Sequence, residues 1–453
     1  MRTFLSILSA LFVLLCLSSC IGSRATPPEN IRVLIGASDF QGLEHESVLV
    51  TSTEEFIIYH EKQEYLADFL YLSTERITEV GTKYILAPQR PEVRLYLPEL
   101  ARAYQSPRYR GTLEITRTEN GFIVVNELPI EQYLYAVVPS EMPSSYGVEA
   151  SKVQAVTART FAYYQKEKSN FEQYNAHVDD SVISQVYNNY PETDISVEAV
   201  NATRGQVITH NGELIHANYF STSGGTTANF GEVWAARGEF PTHTPEFLRA
   251  GAQFFGELHI GDLRTEEAAA AFFKNTEIGA IDKDFPWFRW TVTLTAQELS
   301  ERINAALPAR LAAAPSLVTF LGEPADSIGE LVDIEITRRG QGGNVMEAIF
   351  YGTGATIRVQ TEYNIRTLLA PHDIAITRHD GTTAQTRLLP SAFFTMDKDF
   401  HDTGLFSVTF YGGGNGHGVG MSQNGVRALL DMGLGYVDIL EHYYKGVVLV
   451  GGL

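Results

Sequence analysis

The sequence predicts an α+β fold: β-rich lobes packed around a helical pair, with an inserted α/β segment. Three observations lead there. From Ile31 to about Gly121 the chain is written in short β-rich runs separated by turns. Leu128 to Lys166 then reads as two consecutive helices. Beyond residue 240, two amphipathic helical patterns flank an aromatic strand and precede a hairpin.

In chain order, Ile31–Gly36, Phe56–Tyr59, Val93–Leu97 and Leu113–Ile115 are the clearest early strands. Glu119-Asn120-Gly121 is a hairpin-type turn before Phe122–Val125. In the first helix Ile130, Tyr133, Leu134, Val137 and Val138 recur at helical spacing. Pro139 is expected to stop it, since proline lacks the backbone donor and clashes with the preceding turn. Pro143 restrains Met142 to extended geometry. Glu141 thus sits in a stiff two-proline bracket. The second helix starts near Val148, with Glu149 at its positive end and Val153, Val156, Thr157, Thr160 and Tyr164 in one stripe.

Val207–Thr209, a turn at Asn211-Gly212, and Ile215–Phe220 read as a hairpin delivering Ser223 and Gly224. The paired glycines serve either close backbone approach, amides open to sugar hydroxyls, or a plain turn. Thr265–Asn275 and Thr295–Leu311 read as helices, the latter with a Thr295/Glu298 capping box. Trp287–Leu294 is an aromatic strand whose rings suit core packing or sugar stacking. Val332–Ile336 and Ala348–Tyr351 form a hairpin turning at Gly340–Gly343. Phe406–Phe410 is a strand running into a glycine-rich stretch with His417, followed by helices around Val426–Leu430 and Tyr436–Tyr444.

Of 453 residues, 44% are hydrophobic and 11% aromatic, enough for a sizeable core in two or three lobes or one large domain with insertions. The net charge of -20 argues against nucleic acid and anionic headgroups as partners, so an anionic glycan would need a local site. Arg2 precedes an apolar run, Phe4–Leu17, too short for a comfortable membrane span and suited to a secretory leader. Leu17-Ser18-Ser19-Cys20 has the form of a lipobox, which predicts a leader over 1–19, lipidation at Cys20 and a tether over 20–30. Ile21 after Cys20 favours the periplasmic face of an outer membrane in a two-membrane bacterium, and an extracytoplasmic membrane surface otherwise. Both cysteines, Cys16 and Cys20, lie there, so the rest of the chain has no disulfide and no thiolate metal site.

Four ordered motifs carry a resemblance. They are LPIEQYLYAVVPSEMP with SKVQAVTARTFAYY, then SQVYNNY (184–190), NYFSTSGGTTANFGEVW (218–234) and GHGVGMSQNGVRALLDMGLGYVDILEHYYKGV (416–447). Together they resemble the SpoIID/LytB family, named for stage II sporulation protein D and an amidase enhancer, from about Ile31 to Leu453. The resemblance divides the chain into a β-rich part (31–127), a core with the catalytic corner (128–240), an insertion-like segment (241–340) and the end of the core (341–453).

It also implies a function: lytic cleavage of peptidoglycan glycan strands, preferably those stripped of peptides. Glu141 would be the single general acid/base, with Gln154, Arg159, Gln185, Tyr187, Ser223, Gly224, His417 and Gln423 binding substrate. Desolvation of Glu141 by Tyr133, Tyr146 or Tyr187 would raise its pKa. Many family members hold zinc near residues 177–184. Here Ser181 and Ser184 stand near the cysteine positions, leaving only His177, Asp179 and Asp180, so no zinc or other cofactor is expected. The expected partners are glycan strands, a cell-wall amidase and a membrane reached through the lipid. The alternative function is a non-catalytic glycan binder that activates such an amidase.

Overall fold

The computed structural model describes residues 29–168, 171–256, 259–402 and 404–451. The expected leader, Cys20 and the tether as far as residue 28 lie outside the described residues.

The β-rich start forms one nine-stranded sheet among the described residues. Its strands lie in the order Arg108–Tyr109, Leu95–Tyr96, Ser47–His60, Lys83–Pro88, Thr112–Arg117, Phe122–Pro129, Asn30–Ile35 and Val178–Asp179. Gln63–Ser73 pairs with Ser47–His60 off this path. Alternation explains the register: Leu113 and Ile115 point into the core while their neighbours are half-buried. The strand expected over 93–97 shrinks to Leu95–Tyr96. Pro91 and Pro98 bracket it, and neither can donate to a ladder.

Phe122–Pro129 feeds directly into α1 (Ile130–Glu141). Contrary to expectation, α1 does not stop at Pro139 but runs two residues further. Proline there leaves the Tyr135 carbonyl without its usual i+4 donor, and the Ser196 hydroxyl supplies one at 3.0 Å. Ser140 Oγ donates to Ala136 O at 2.7 Å and Met142 N–H to Val138 O at 2.9 Å. The last turn is therefore satisfied despite the proline, and Glu141 becomes the final helical residue.

Helix α2 (Val148–Lys168) is the spine of the molecule. Ala155, Ala158 and Ala162 join the core under the first sheet, while Ala150, Val153 and Val156 join a second core with Ile208, Ile215, Met421 and Tyr444. Burial on both sides is why its stripe reading is too narrow. Arg159 is fully buried between α1, α2 and α3 (Asp194–Ala202). It pairs bidentately with Glu131, both contacts at 2.8 Å, and donates to the Val200 and Gln206 carbonyls.

Asn211 (φ 54°) and Gly212 (φ 85°) make the expected tight turn between Val207–His210 and Glu213–Leu214. Tyr219–Phe220 leaves that hairpin and pairs in parallel with Met421–Ser422, setting two distant motifs side by side. Helices α4 (Glu266–Lys274) and α5 (Ala296–Ala313) start at Thr265 and Thr295, the latter with its capping box. Trp287 and Phe288 fall in a short 3-10 turn, and the strand is Trp290–Thr295. A third core joins that strand and α5 to the Leu331–Arg339/Val345–Gly352 hairpin, α6 (Glu362–Leu368) and Gly404–Gly412. The boundary expected at 340/341 cuts this hairpin, so the segments on either side share one core. Helices α7 (Gln423–Asp431) and α8 (Tyr436–Tyr443) close the second core. None of the described helices is long and apolar enough to cross a membrane.

Removing Arg159 would strand Glu131 at the α1–α2 contact. Arg159→Ala is expected to lower unfolding free energy by about 3–5 kcal/mol, as for other half-deleted buried pairs. Urea denaturation followed by circular dichroism measures it.

Candidate active site

Glu141 stands where α1 ends and the chain turns extended at Met142 (φ −131°, ψ 128°), as Pro143 requires. Three remote segments converge on its half-buried carboxylate. The Val186 N–H donates to Oε1 at 2.6 Å. Gln423 Nε2, at the start of α7, donates to Oε2 at 3.2 Å and to the Glu141 carbonyl at 2.8 Å. The Tyr219 hydroxyl makes the third hydrogen bond. Behind it, Gln185 Nε2 donates to Tyr219 Oη and Tyr133 donates to Gln185 Oε1, both at 3.3 Å. The Asn189 and Tyr190 N–H groups both reach Ser140 Oγ at 3.1 Å, which pins the loop to the helix end.

The electrostatics shift the carboxyl toward its protonated form. Burial pushes the Glu141 pKa above the usual carboxylate range, and this outweighs the three donors that stabilise the anion. The negative end of α1 acts in the same direction. Burial also holds Tyr133 and Tyr219 well above the ordinary phenol range, so both stay neutral donors.

The structure sorts the sequence-predicted residues. Gln423 touches Glu141, and Gln185 supports it through Tyr219. His417 is half-buried nearby: Nδ1 accepts from Val419 N–H at 3.1 Å, and the ring donates to the Tyr219 carbonyl. This network assigns the neutral tautomer with the proton on Nε2, in keeping with a pKa lowered by burial to about 3. Its ring lies 4.9 Å from that of half-buried Trp234.

Four of the expected substrate contacts are packed inside the fold. Arg159 is sealed in the ion pair described above. Tyr187 is 1% exposed, bonds Asn126 at 2.8 Å and packs 4.9 Å from Tyr133 in the first core. Ser223 is 1% exposed and its Oγ accepts from Gly225 N–H at 2.9 Å. Gly224 presents no open amide surface: a Cβ there would lie 2.7 Å from the Gly413 carbonyl carbon, so its role is close backbone packing. A fifth, Gln154, is fully buried on α2, and neither of its amide atoms has a hydrogen-bond partner. Of the three tyrosines expected near Glu141, Tyr133 acts only through Gln185, Tyr146 donates to Asn424 Oδ1 at 2.7 Å, and Tyr187 faces inward.

The His177/Asp179/Asp180 cluster is spent on structure. His177 Nδ1 accepts from Arg32 N–H at 3.0 Å, Asp179 from the Ser181 hydroxyl, and Asp180 pairs with buried Arg102 at 2.6 Å. Among the described residues no group of three or more His, Cys, Asp or Glu is arranged to hold a metal ion.

Sequence reasoning missed Tyr219, although it lies in the quoted NYF motif; its neighbour Ser223 drew attention instead. It also missed Asp282, which carries no motif. Asp282 is fully buried, accepts from Ser223 N–H at 2.6 Å and from the Ser422 hydroxyl, and leaves Oδ1 without a partner. Burial raises its pKa to about 7.

The site is thus a single half-buried carboxyl met by donors from three remote segments. Comparison with known proteins then gives a family likeness. Residues 118–210 match the model described as SpoIID, Stage II sporulation protein, and residues 251–420 match a domain of unknown function, DUF8618. The amidase enhancer of Bacillus subtilis is 27% identical over 70% of this chain, which spans 40% of that protein's length. An uncharacterized protein of Brachyspira hyodysenteriae is 29% identical over 76% of this chain and 72% of its own. Stage II sporulation protein D of Bacillus amyloliquefaciens is 25% identical over 74% of this chain and 78% of its own. The chain thus carries a SpoIID segment over residues 118–210 and is similar to proteins of the SpoIID/LytB family.

Asp282 generates a stability prediction. Between about pH 4 and about pH 7 the folded protein keeps a proton that the unfolded chain releases. Its favourable contribution is complete below that window and is lost as pH rises through the folded pKa. Asp282→Asn should therefore gain on the wild type as pH rises from about 5 to about 8, read from denaturation midpoints.

Proposed function

We propose that the protein is a lytic transglycosylase of peptidoglycan, with Glu141 as its one acid/base. The relatives support a cell-wall role, and the observation that carries the chemistry is the Glu141 carboxyl held by Val186, Gln423 and Tyr219. A protonated Glu141 gives its proton to the glycosidic oxygen linking N-acetylmuramic acid to N-acetylglucosamine. The bond from the anomeric carbon to that oxygen breaks, and positive charge develops on the sugar ring. The 6-hydroxyl oxygen of the same muramic residue then bonds to the anomeric carbon, and its proton passes to the Glu141 carboxylate. The product is a 1,6-anhydromuramic end, no water is consumed, and the acid is regenerated. Because the nucleophile belongs to the substrate, a second carboxylate is not required. Val186, Gln423 and Tyr219 stabilise the anion formed midway, which makes Glu141 a serviceable base for the second transfer.

The name of the amidase enhancer keeps one other reading in view, a glycan binder that activates an amidase. The proposed setting for either is the extracytoplasmic envelope, reached through a lipid on Cys20.

The test is cleavage of amidase-treated and untreated peptidoglycan, with fragments read by mass spectrometry. Fragments lighter by one water than hydrolytic ones are expected, and Glu141→Gln should slow their release by about 10²–10⁴-fold. Equal turnover by that variant would remove Glu141 from the mechanism. Retained binding without cleavage by the wild type would move the function to the amidase-activating role. In Gln423→Leu, loss of a donor that stabilises the anion should raise the Glu141 pKa. Since the protonated form starts the reaction, the alkaline limb of the kcat/KM profile should shift to higher pH.

A further inference from the structure

Asp282 takes no part in the chemistry above, yet it stands behind two of the three donors to Glu141. Tyr219 and Gln423 are delivered by segments that run side by side. The ladder between those segments has two registered pairs, Tyr219 with Met421 and Phe220 with Ser422. So short a two-stranded ladder is weak by itself. Just past it, Asn424 ties the same segments: its N–H donates to the Ser221 carbonyl at 3.0 Å and its Nδ2 to Thr222 Oγ1 at 2.8 Å. Asp282 adds a tie that is fully buried and comes from a third part of the chain, outside the quoted motifs. Its Oδ2 accepts from the Ser223 N–H at 2.6 Å and from the Ser422 hydroxyl. Ser223 lies four residues after Tyr219, and Ser422 immediately precedes Gln423.

The direction of the Ser422 bond matters. Ser422 is the N-cap of α7, with Oγ accepting from the Gly425 N–H at 3.3 Å. The same oxygen accepts from the Ser223 N–H at 3.1 Å. A hydroxyl has one proton and two lone pairs. Giving the proton to Asp282 leaves both lone pairs for these two amides, so Asp282 fixes the hydroxyl in its capping orientation. Asp282 is itself braced: the Ile281 N–H donates to the Gln253 carbonyl at 2.9 Å, and the Phe285 N–H to the Asp282 carbonyl at 3.0 Å. Its Oδ1 and the Tyr443 hydroxyl are buried without hydrogen-bond partners among the described residues. Both lie against Gly425, where a Cβ would stand 2.7 Å from Oδ1 and 2.0 Å from Tyr443 Oη. Glycine at 425 lets the carboxyl approach α7 this closely.

We infer that Asp282 is a positioning residue for Glu141: through Ser223 and Ser422 it clamps together the segments that bring Tyr219 and Gln423 onto the carboxylate. Its bearing on catalysis rests on the lytic reading of Glu141, whereas the clamp itself does not.

The titration of Glu141 tests the clamp without substrate. It is followed by carbon-13 NMR of the carboxyl groups in the full chain, with the signal assigned by its loss in Glu141→Gln. Loosening the donors takes stabilisation from the anion, so Asp282→Ala should raise the Glu141 pKa. Asp282→Asn keeps an acceptor oxygen in the same shape and should hold the wild-type value. In Tyr219→Phe/Gln423→Leu both donors are already gone, and adding Asp282→Ala should then raise the pKa no further. Ser422→Ala, which removes a single helix cap, should reproduce the Gln423 part of the rise. It decides the matter if circular dichroism shows that Asp282→Ala does not fold. An unmoved Glu141 titration in folded Asp282→Ala or Ser422→Ala overturns the clamp. An equal rise with and without the two donors also overturns it, for Asp282 would then act on Glu141 directly. Peptidoglycan cleavage by the same proteins is scored separately, and the alkaline limb of kcat/KM should move upward with the pKa. If the pKa rises as expected but the wild type cleaves nothing, the clamp stands and the lytic reading falls.

Discussion

The whole arrangement depends on one carboxyl group receiving hydrogen bonds from parts of the chain 45 and 282 residues away. Val186, Gln423 and Tyr219 have no other reason to meet. Bringing them together needs the first sheet to aim α1, the loop after residue 180 to fold back onto Ser140, and the Tyr219–Met421 pairing to place the start of α7. Disturbing any of these would leave a buried carboxyl with fewer donors and a still higher pKa. In the proposed reaction, that balance between burial and donors would let Glu141 give a proton first and take one afterwards.

Helix α2 makes this possible mechanically. It is buried against two cores at once, so the two lobes share one helix. The buried Arg159–Glu131 pair fixes α1 on it, and α1 in turn ends at Glu141. Polar groups that look available in the sequence are consumed in this framework, as Arg159 and Tyr187 show. Electrostatics at the site is therefore set by what surrounds Glu141 and not by the strongly negative surface.

Much of the framework was legible in the residues. Period-two runs located Thr112–Arg117 and Phe122–Pro129, helical spacing located α1 and α2, and Thr295 with Glu298 located the start of α5. Pro139 misled because a local rule has a tertiary remedy: Ser196, 57 residues downstream, satisfies the carbonyl that proline strands. The candidate site was legible at Glu141 and Gln423, which lie in dense motifs. Burial was not legible, because a motif residue that packs and one that faces Glu141 look alike in sequence. Arg159, Tyr187, Ser223 and Gly224 fell on the packing side, while Tyr219, in the same motif as the last two, faces Glu141. Asp282 was invisible because its role arises wholly from being enclosed by Ser223 and Ser422.

The central claim is that one carboxyl suffices because the substrate supplies the nucleophile. Cleavage of peptidoglycan in oxygen-18-enriched water tests this most directly. The account predicts that the new ends carry no label from solvent, since the attacking oxygen comes from the muramic 6-hydroxyl. One labelled oxygen per bond broken would contradict it, for then water attacks and a second, base-acting group must stand opposite Glu141.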